Sequence, residues 1–286
     1  MFKSGFVAVV GKANVGKSTL VNALIGKKVS IVSPKPQTTR DQILGVDNGE
    51  DYQIIFIDTP GIHKAKNNLD RQMQEHINNA TVDVDLILYV MDGSKNFADD
   101  DIAKLKHYAK LGFPLFVVVN KVDLGSFESI YPRLAVLNEI EGIEEIFGIS
   151  AKTGKNLGDL KQAILGKLTD NIEYFPRDVY GAQTLEFNLA ELIREKILWL
   201  LNDEIPHGVG VEITGLDTNA TPAYVGATVY CEKASHKNII IGAKGAMLKT
   251  IGTECRQAME KMLGKSVYLE LFVKVKLNWR DRVKVN

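Results

Sequence analysis

Residues 11–18, Gly11-Lys12-Ala13-Asn14-Val15-Gly16-Lys17-Ser18, constrain this chain more than any other stretch. They fit G-x-x-x-x-G-K-[ST], follow the apolar run Phe6–Val10 and lead into a helical pattern at Lys17–Ile25. A strand, a glycine loop and a helix N-terminus in that order make a phosphate cradle. Gly11 and Gly16 let backbone N–H groups curl around phosphate oxygens, and Val15, Gly16, Lys17, Ser18 and Thr19 carry the N–H groups that open the helix. The helix end adds partial positive charge. Lys17 reaches the β- and γ-phosphates. The Ser18 hydroxyl suits Mg²⁺, a hard ion that takes oxygen ligands.

The rest of the first 170 residues alternates strand and helix patterns. Strands are expected at Gln53–Ile57, Asp85–Met91, Leu115–Val119 and Glu145–Ile149, with helices near Leu69–Ala80, Ala98–Lys110 and Leu157–Leu168. Unbroken apolar strands alternating with helices predict an α/β domain with a mostly parallel sheet covered on both faces. Further motifs stand at strand ends, where open α/β sheets bind ligands. Asp58-Thr59-Pro60-Gly61 follows one strand: Asp58 can hold Mg²⁺ through water, and the Gly61 N–H can meet a γ-phosphate. Asn120-Lys121-Val122-Asp123 follows another. A carboxylate at Asp123 accepts from guanine N1–H and its exocyclic amine, whereas adenine would leave it unpaired. Lys121 can lie over the base and Asn120 can brace the loops. Ser150-Ala151-Lys152 ends the last strand, where a backbone N–H can meet guanine O6. Four such motifs in this order specify GTP and GDP as ligands.

The loop Gln37-Thr38-Thr39-Arg40-Asp41 offers a threonine to complete the Mg²⁺ shell, with Thr39 the first choice and Thr38 the second. Ile62 stands where many GTPases carry a glutamine that orients the attacking water. Hydrolysis is therefore expected to be slow, helped by Lys17, Thr39 and the Gly61 N–H. Asn14 points to K⁺ as a cation placed like an arginine finger. The loop residue His63 reads as solvated rather than catalytic.

Net charge is zero, 35 basic against 35 acidic residues, which taken alone argues against nucleic acid. The average hides an asymmetry. Residues 173–232 carry 3 basic and 10 acidic residues, and residues 233–286 carry 12 basic and 4 acidic, a local net of +8. Two domains are expected, 1–170 and 185–286, joined by a linker at 171–184. The second reads α-β-β-α-α-β: an amphipathic helix at Leu185–Leu201, strands at Val209–Thr214 and Ala227–Glu232, a helix at Lys249–Leu263 and a strand at Ser266–Val275. Trp199 is expected in the core of the amphipathic helix. Gly242-Ala243-Lys244-Gly245 is a G-x-x-G loop, fed by Ile239, Ile240 and Ile241 and opening a helix. In that setting it forms the backbone clamp of a KH module, which takes unstacked RNA bases. Lys237, Lys244 and Lys249 supply charge, and Ile241 is a candidate for the groove floor. Lys274, Lys276, Arg280, Arg282 and Lys284, with Trp279 among them, form a basic tail. No export signal is apparent, so Cys231 and Cys255 are expected to be reduced in a cytosol.

GKANVGKS, QTTRD, DTPGI, NKVD and SAK, joined to a KH-like unit and to the ending Leu271–Lys276 with Trp279-Arg280, resemble the Era family of bacterial ribosome-assembly GTPases over essentially the whole chain. The resemblance implies a type II KH domain and binding near the 3′ end of small-subunit (16S) ribosomal RNA. It also implies help in 30S maturation and loose contact with the inner membrane from the cytoplasm. A monomer is expected. Two other readings stand beside it: an RNA-binding assembly factor whose nucleotide only sets conformation, and a membrane-surface signalling GTPase. One departure is visible. Family loops commonly read G-K-G-G, whereas here the lysine stands one place later, at Lys244.

Overall fold

A computed structural model describes residues 1–32, 42–61, 84–125, 127–201 and 209–277. The Gln37–Asp41 loop with Thr38 and Thr39, then Ile62, His63, the 69–80 helix, Trp279, Arg280, Arg282 and Lys284 all lie outside these residues. The described chain divides into two compact units, one running to Ala182 and one beginning at Gln183.

The first unit is built on a six-stranded sheet in the order β2-β3-β1-β4-β5-β6. The strands are β1 (Lys3–Val10), β2 (Ile43–Asn48), β3 (Tyr52–Asp58), β4 (Leu86–Asp92), β5 (Leu115–Asn120) and β6 (Glu145–Gly148). All pairs are parallel except β2 with β3. Alternation along β1 divides the core. Val7 and Val9 pack on one face with Leu20, Val21 and Leu160, while Ala8 and Val10 pack on the other with Tyr89 and Leu105. Burial on both faces explains the unbroken apolar runs of β4 and β5. Parallel register brings the C-terminal ends to one edge: Val9 lies opposite Asp58, and Asp92 opposite Asn120.

Strands and helices fall where the pattern places them, within a residue or two at most ends. The helix Lys17–Ile25 matches residue for residue. Two elements were not foreseen: the antiparallel edge strand β2, and a helix at Phe127–Leu137 that carries Pro132. The stretch read as a linker differs most. Ser4 bridges Asp170, and Gly45 bridges Gly181. Val46 N–H donates to the Tyr180 carbonyl at 2.9 Å, and Ala182 N–H to Leu44 at 3.2 Å. The fully buried Gln53 side chain accepts from the N–H groups of Tyr174 (2.8 Å) and Phe175 (2.9 Å). Residues 170–182 are thus a strap on the first unit. The cause is the amide side chains of Asn48 and Gln53, whose donors and acceptors match an extended backbone.

The second unit pairs β7 (Gly210–Asp217) antiparallel with β8 (Ala223–Cys231), and β8 parallel with β9 (Val267–Val275). Thr184 caps the helix Leu185–Leu200 by accepting from Phe187 N–H. Its buried stripe is Leu189, Leu192, Ile193 and Ile197, packed against Val225, Ala227 and Val229 of β8. The helix Ala246–Leu263 adds Ile251, Cys255 and Met259, spaced four apart on one face. Trp199 corrects its expectation. It is 52% exposed, because two residues beyond Ile197 a helix has turned past its buried stripe. Both cysteines are buried and unbridged.

Candidate functional site

The phosphate loop is held in one conformation by its glycines. Gly11 has φ 145°, and a Cβ there would lie 2.3 Å from the Val90 carbonyl. Gly16, the residue before the helix, has φ 99°, and a Cβ there would lie 2.3 Å from Asn120 Nδ2. Lys17 is buried, and its Nζ donates to the carbonyls of Gly11 and Lys12, each at 3.0 Å. Burial lowers its pKa to about 8, with Asp58 pulling the other way. An ammonium kept dry and ringed by loop backbone is ready to exchange carbonyl partners for phosphate oxygens.

Asp58 closes β3 and is fully buried. Burial raises its pKa against the Ser18 and Ser30 hydroxyls and the Lys17 charge, which favour the carboxylate. Neither of its oxygens has a well-formed hydrogen bond. A dry, unsatisfied carboxylate beside a serine hydroxyl and a lysine is a donor set that fits Mg²⁺ with its waters. Thr59 is also fully buried and donates from Oγ1 to the Val9 carbonyl at 2.8 Å, which fixes the turn after β3 to β1. Gly61 passes close to the phosphate loop, and a Cβ there would lie 2.5 Å from Ala13 Cα.

The base-reading loops converge on Asn120. Its Nδ2 donates to the Val15 carbonyl at 2.9 Å. Its Oδ1 accepts from Lys121 N–H (2.8 Å) and from Ala151 N–H (2.9 Å). One amide therefore ties together the phosphate loop, the Asn-Lys-Val-Asp turn and the Ser-Ala-Lys turn. Ser150 is fully buried and Lys152 is exposed. Asp123 stands exposed in the short turn Val122–Leu124. Lys121 has φ 67° and Asn14 φ 63°, left-handed values that L side chains rarely adopt.

Two residues of this site were missed. Asn22, one turn along the helix from Ser18, accepts from Val29 and Ser30 N–H at 2.8 and 2.9 Å and fixes the start of the following loop. A helical asparagine gives no sequence signal for that role. Asp92 does: like Asp58 it is an acid at the end of an apolar strand. Burial raises its pKa, but the hydrogen bonds from Lys121 and Ser94 outweigh that and hold it low.

In the second unit the helix Ala234–Ile241 ends at Gly242, which has φ 72°. A Cβ on Gly242 would lie 2.7 Å from Met247 Cβ. Ala243–Gly245 form a tight turn in which Lys244 has φ 51°, and Gly245, φ 80°, precedes the helix Ala246–Leu263. Lys244 and Lys249 are exposed and Lys237 half-buried. Ile240 is in the core, while Ile239 and Ile241 are partly buried beside it. An open backbone turn at a helix N-terminus, with lysines around it, suits a sugar-phosphate chain.

Residues 6–121 match the family described as 50S ribosome-binding GTPase, and residues 204–280 match the KH domain. The chain is 44% identical to GTPase Era of Clostridium kluyveri over 282 residues, 98% of this chain and 96% of that one. It is 43% identical to GTPase Era of Caldanaerobacter subterraneus subsp. tengcongensis over 286 residues, 99% and 96% of the two chains. Two solved structures are also similar, each 39% identical over 99% of this chain and 97% of that one. The first, at a TM-score of 0.95, is Era in complex with MgGDPNP and nucleotides 1506–1542 of 16S ribosomal RNA. The second, at 0.94, is an Aquifex aeolicus Era variant bound to GDP and aluminium fluoride. With a nucleotide cradle at the sheet edge of its first unit and a KH unit later in the sequence, this chain belongs to the GTPase Era family.

Proposed function

We propose that this GTPase is a slow switch whose nucleotide state gates the binding of single-stranded RNA near the 3′ end of small-subunit ribosomal RNA, and that it assists maturation of the 30S particle. The observation that carries this reading is the likeness over 99% of the chain to an Era solved with MgGDPNP and nucleotides 1506–1542 of 16S ribosomal RNA. In this reading Lys17 and the N–H groups of Gly11, Val15, Gly16, Ser18 and Thr19 hold the phosphates. Asp123 selects guanine, with the stem of Lys121 over the base and Asn120, Ser150, Ala151 and Lys152 framing it. Ser18, Asp58 and Thr39 hold Mg²⁺, which when bound supplies positive charge at the β- and γ-phosphate oxygens. Lys17 and the Gly61 N–H stabilise the charge that develops on the transferred phosphoryl group. With Ile62 in the glutamine's place, the attacking water is held by backbone and phosphate, and turnover is slow. In this reading Asn14 ligates K⁺ beside the phosphates, and equal rates in K⁺ and Na⁺ at one ionic strength would remove that role.

Gly242, Ala243, Lys244 and Gly245 clamp the RNA backbone, Lys237 and Lys249 meet flanking phosphates, and Ile241 floors the base groove. The protein works as a monomer in the cytoplasm, in peripheral contact with the inner membrane, a placement that rests on family resemblance. Among the described residues no helix is long and apolar enough to cross a membrane. The deciding experiment is the affinity of the full chain for a short strand matching the 3′ end of small-subunit ribosomal RNA. It compares GDP with a non-hydrolysable GTP analogue, and a scrambled strand, at one salt concentration. Sequence-selective binding that strengthens with the analogue is expected. Equal binding to both strands would overturn the ribosomal role.

A further inference from the structure

Strand β4 ends at Asp92, level with Asn120 at the end of β5. The turn that follows is fixed from two sides. Asp92 Oδ1 accepts from the N–H of Ser94 at 3.0 Å and from its hydroxyl at 2.6 Å. Arg133 Nη1 donates to the carbonyls of Gly93 at 2.6 Å and Lys95 at 2.9 Å. The other carboxylate oxygen, Oδ2, is thereby presented at a fixed point, and there it meets the Lys121 ammonium at 2.7 Å. The same ammonium donates to the backbone carbonyl of Asn14 at 2.6 Å. One lysine head therefore joins the end of β4 to the phosphate loop, and its backbone sits in the turn that precedes Asp123. Asn14, whose carbonyl this ammonium holds, and Lys121 itself are both in the left-handed region. Such conformations persist only where their surroundings hold them.

We infer that Asp92 is a positioning residue for the nucleotide: it anchors the Lys121 ammonium, and through it locks the phosphate loop at Asn14 to the base-reading turn. The inference rests on the reading that the Lys121 stem lies over the base. A lysine stem that packs on a ring must give up its rotamer freedom. A stem already stretched between its own backbone and two fixed partners has given it up before the ligand arrives, so binding is stronger for the same contacts.

Charge alone predicts the opposite sign. Asp92 is a negative group near a site for anionic phosphates, and neutralising it should tighten nucleotide binding. Positioning predicts that neutralising it weakens binding. The two can be separated in the full chain by measuring GDP and IDP affinities for D92N, K121A and the double variant. IDP lacks only the exocyclic amine that Asp123 reads, so a residue acting through Lys121 must affect both nucleotides alike. D92N is expected to weaken GDP and IDP by the same factor, about tenfold. In the K121A background D92N should add less than about twofold, because the partner it acts through is gone.

K121A without effect on GDP would remove the reading of Lys121. K121A that weakens GDP while D92N leaves it unchanged or tighter would overturn the role of Asp92 alone. Losses that add in the double variant would also overturn it, by making Asp92 a general support of the fold. Should D92N unfold, D92E serves instead. It keeps the charge and should hold GDP within about twofold of the parent chain, and a larger loss would count against the relay.

Discussion

Two glycine loops in this molecule each open a helix, and they are built in opposite ways. At the phosphate loop the glycines are crowded and the polar side chains behind them are buried. Gly16 faces Asn120, Gly11 faces the Val90 carbonyl, and Lys17, Asp58, Thr59 and Asn120 are all buried. At the KH loop Gly242 is crowded by Met247, but Gly245 has nothing within 4 Å of an added Cβ, and Lys244 points out into solvent. The first loop is a dry mould for one small ligand whose charge must be matched from inside. The second is an open ledge for a chain that passes across it. The mould needs its glycines for both space and backbone conformation, whereas at the ledge Gly242 needs both and Gly245 needs conformation alone.

The contrast breaks most sharply at the charges. Lys17→Ala should abolish measurable hydrolysis, a loss of at least about 100-fold in turnover, and unchanged turnover would refute the mould. Next come the glycines. Gly16→Ala should cost about 3 kcal/mol of stability, since it adds a left-handed strain and drives into Asn120. Gly245→Ala should cost about 1 kcal/mol, from backbone strain alone. Chemical denaturation of both variants checks the pair, and equal costs would erase the distinction.

A smaller effect concerns the proton on Lys17. Its pKa of about 8 in the free protein lies below the ordinary lysine value, so above pH 8 the folded chain binds fewer protons there than the unfolded one. Stability against unfolding therefore gains from this group as pH rises from about 8 towards the unfolded lysine value. Phosphates must restore the charge, so GDP binding above pH 8 should take up a measurable fraction of a proton. Calorimetry in buffers of different ionisation enthalpy measures this, and zero uptake would contradict a buried, depressed lysine. The smallest effect is on the ledge. Lys244→Ala should weaken RNA binding a few-fold for all sequences alike and lower the salt slope by about one. Loss for a single sequence would mean that Lys244 reads a base.

The sequence made the mould legible because its chemistry is bound to strand ends. Gly11, Asp58, Asn120 and Ser150 each follow an apolar run, and parallel register then has to gather them at one edge. The KH order was legible from periodicity, and its loop from two glycines. What escaped depended on pairing partners far along the chain. Strand β2 is short, carries Gly45 and pairs antiparallel, so no crossover pattern announced it. The helix Phe127–Leu137 contains Pro132, which reads as a break. The strap at 170–182 has the turn-forming composition of a linker, and only the amides of Asn48 and Gln53, more than 120 residues earlier, turn it into structure. The placement of Lys244 became intelligible only with its φ of 51°. Lys244 holds a conformation that glycine adopts more readily than a lysine does.

That strap decides what the first unit would do on its own. Strand β2 is the edge of the sheet, and an unpaired edge is a template for strands of other molecules. Residues 180–182 already occupy the outer Val46 N–H and Leu44 C=O groups. A chain cut after Leu168 would bare that edge and tend to self-associate through it. One cut after Ala182 would carry its own cover and stay apart from its neighbours.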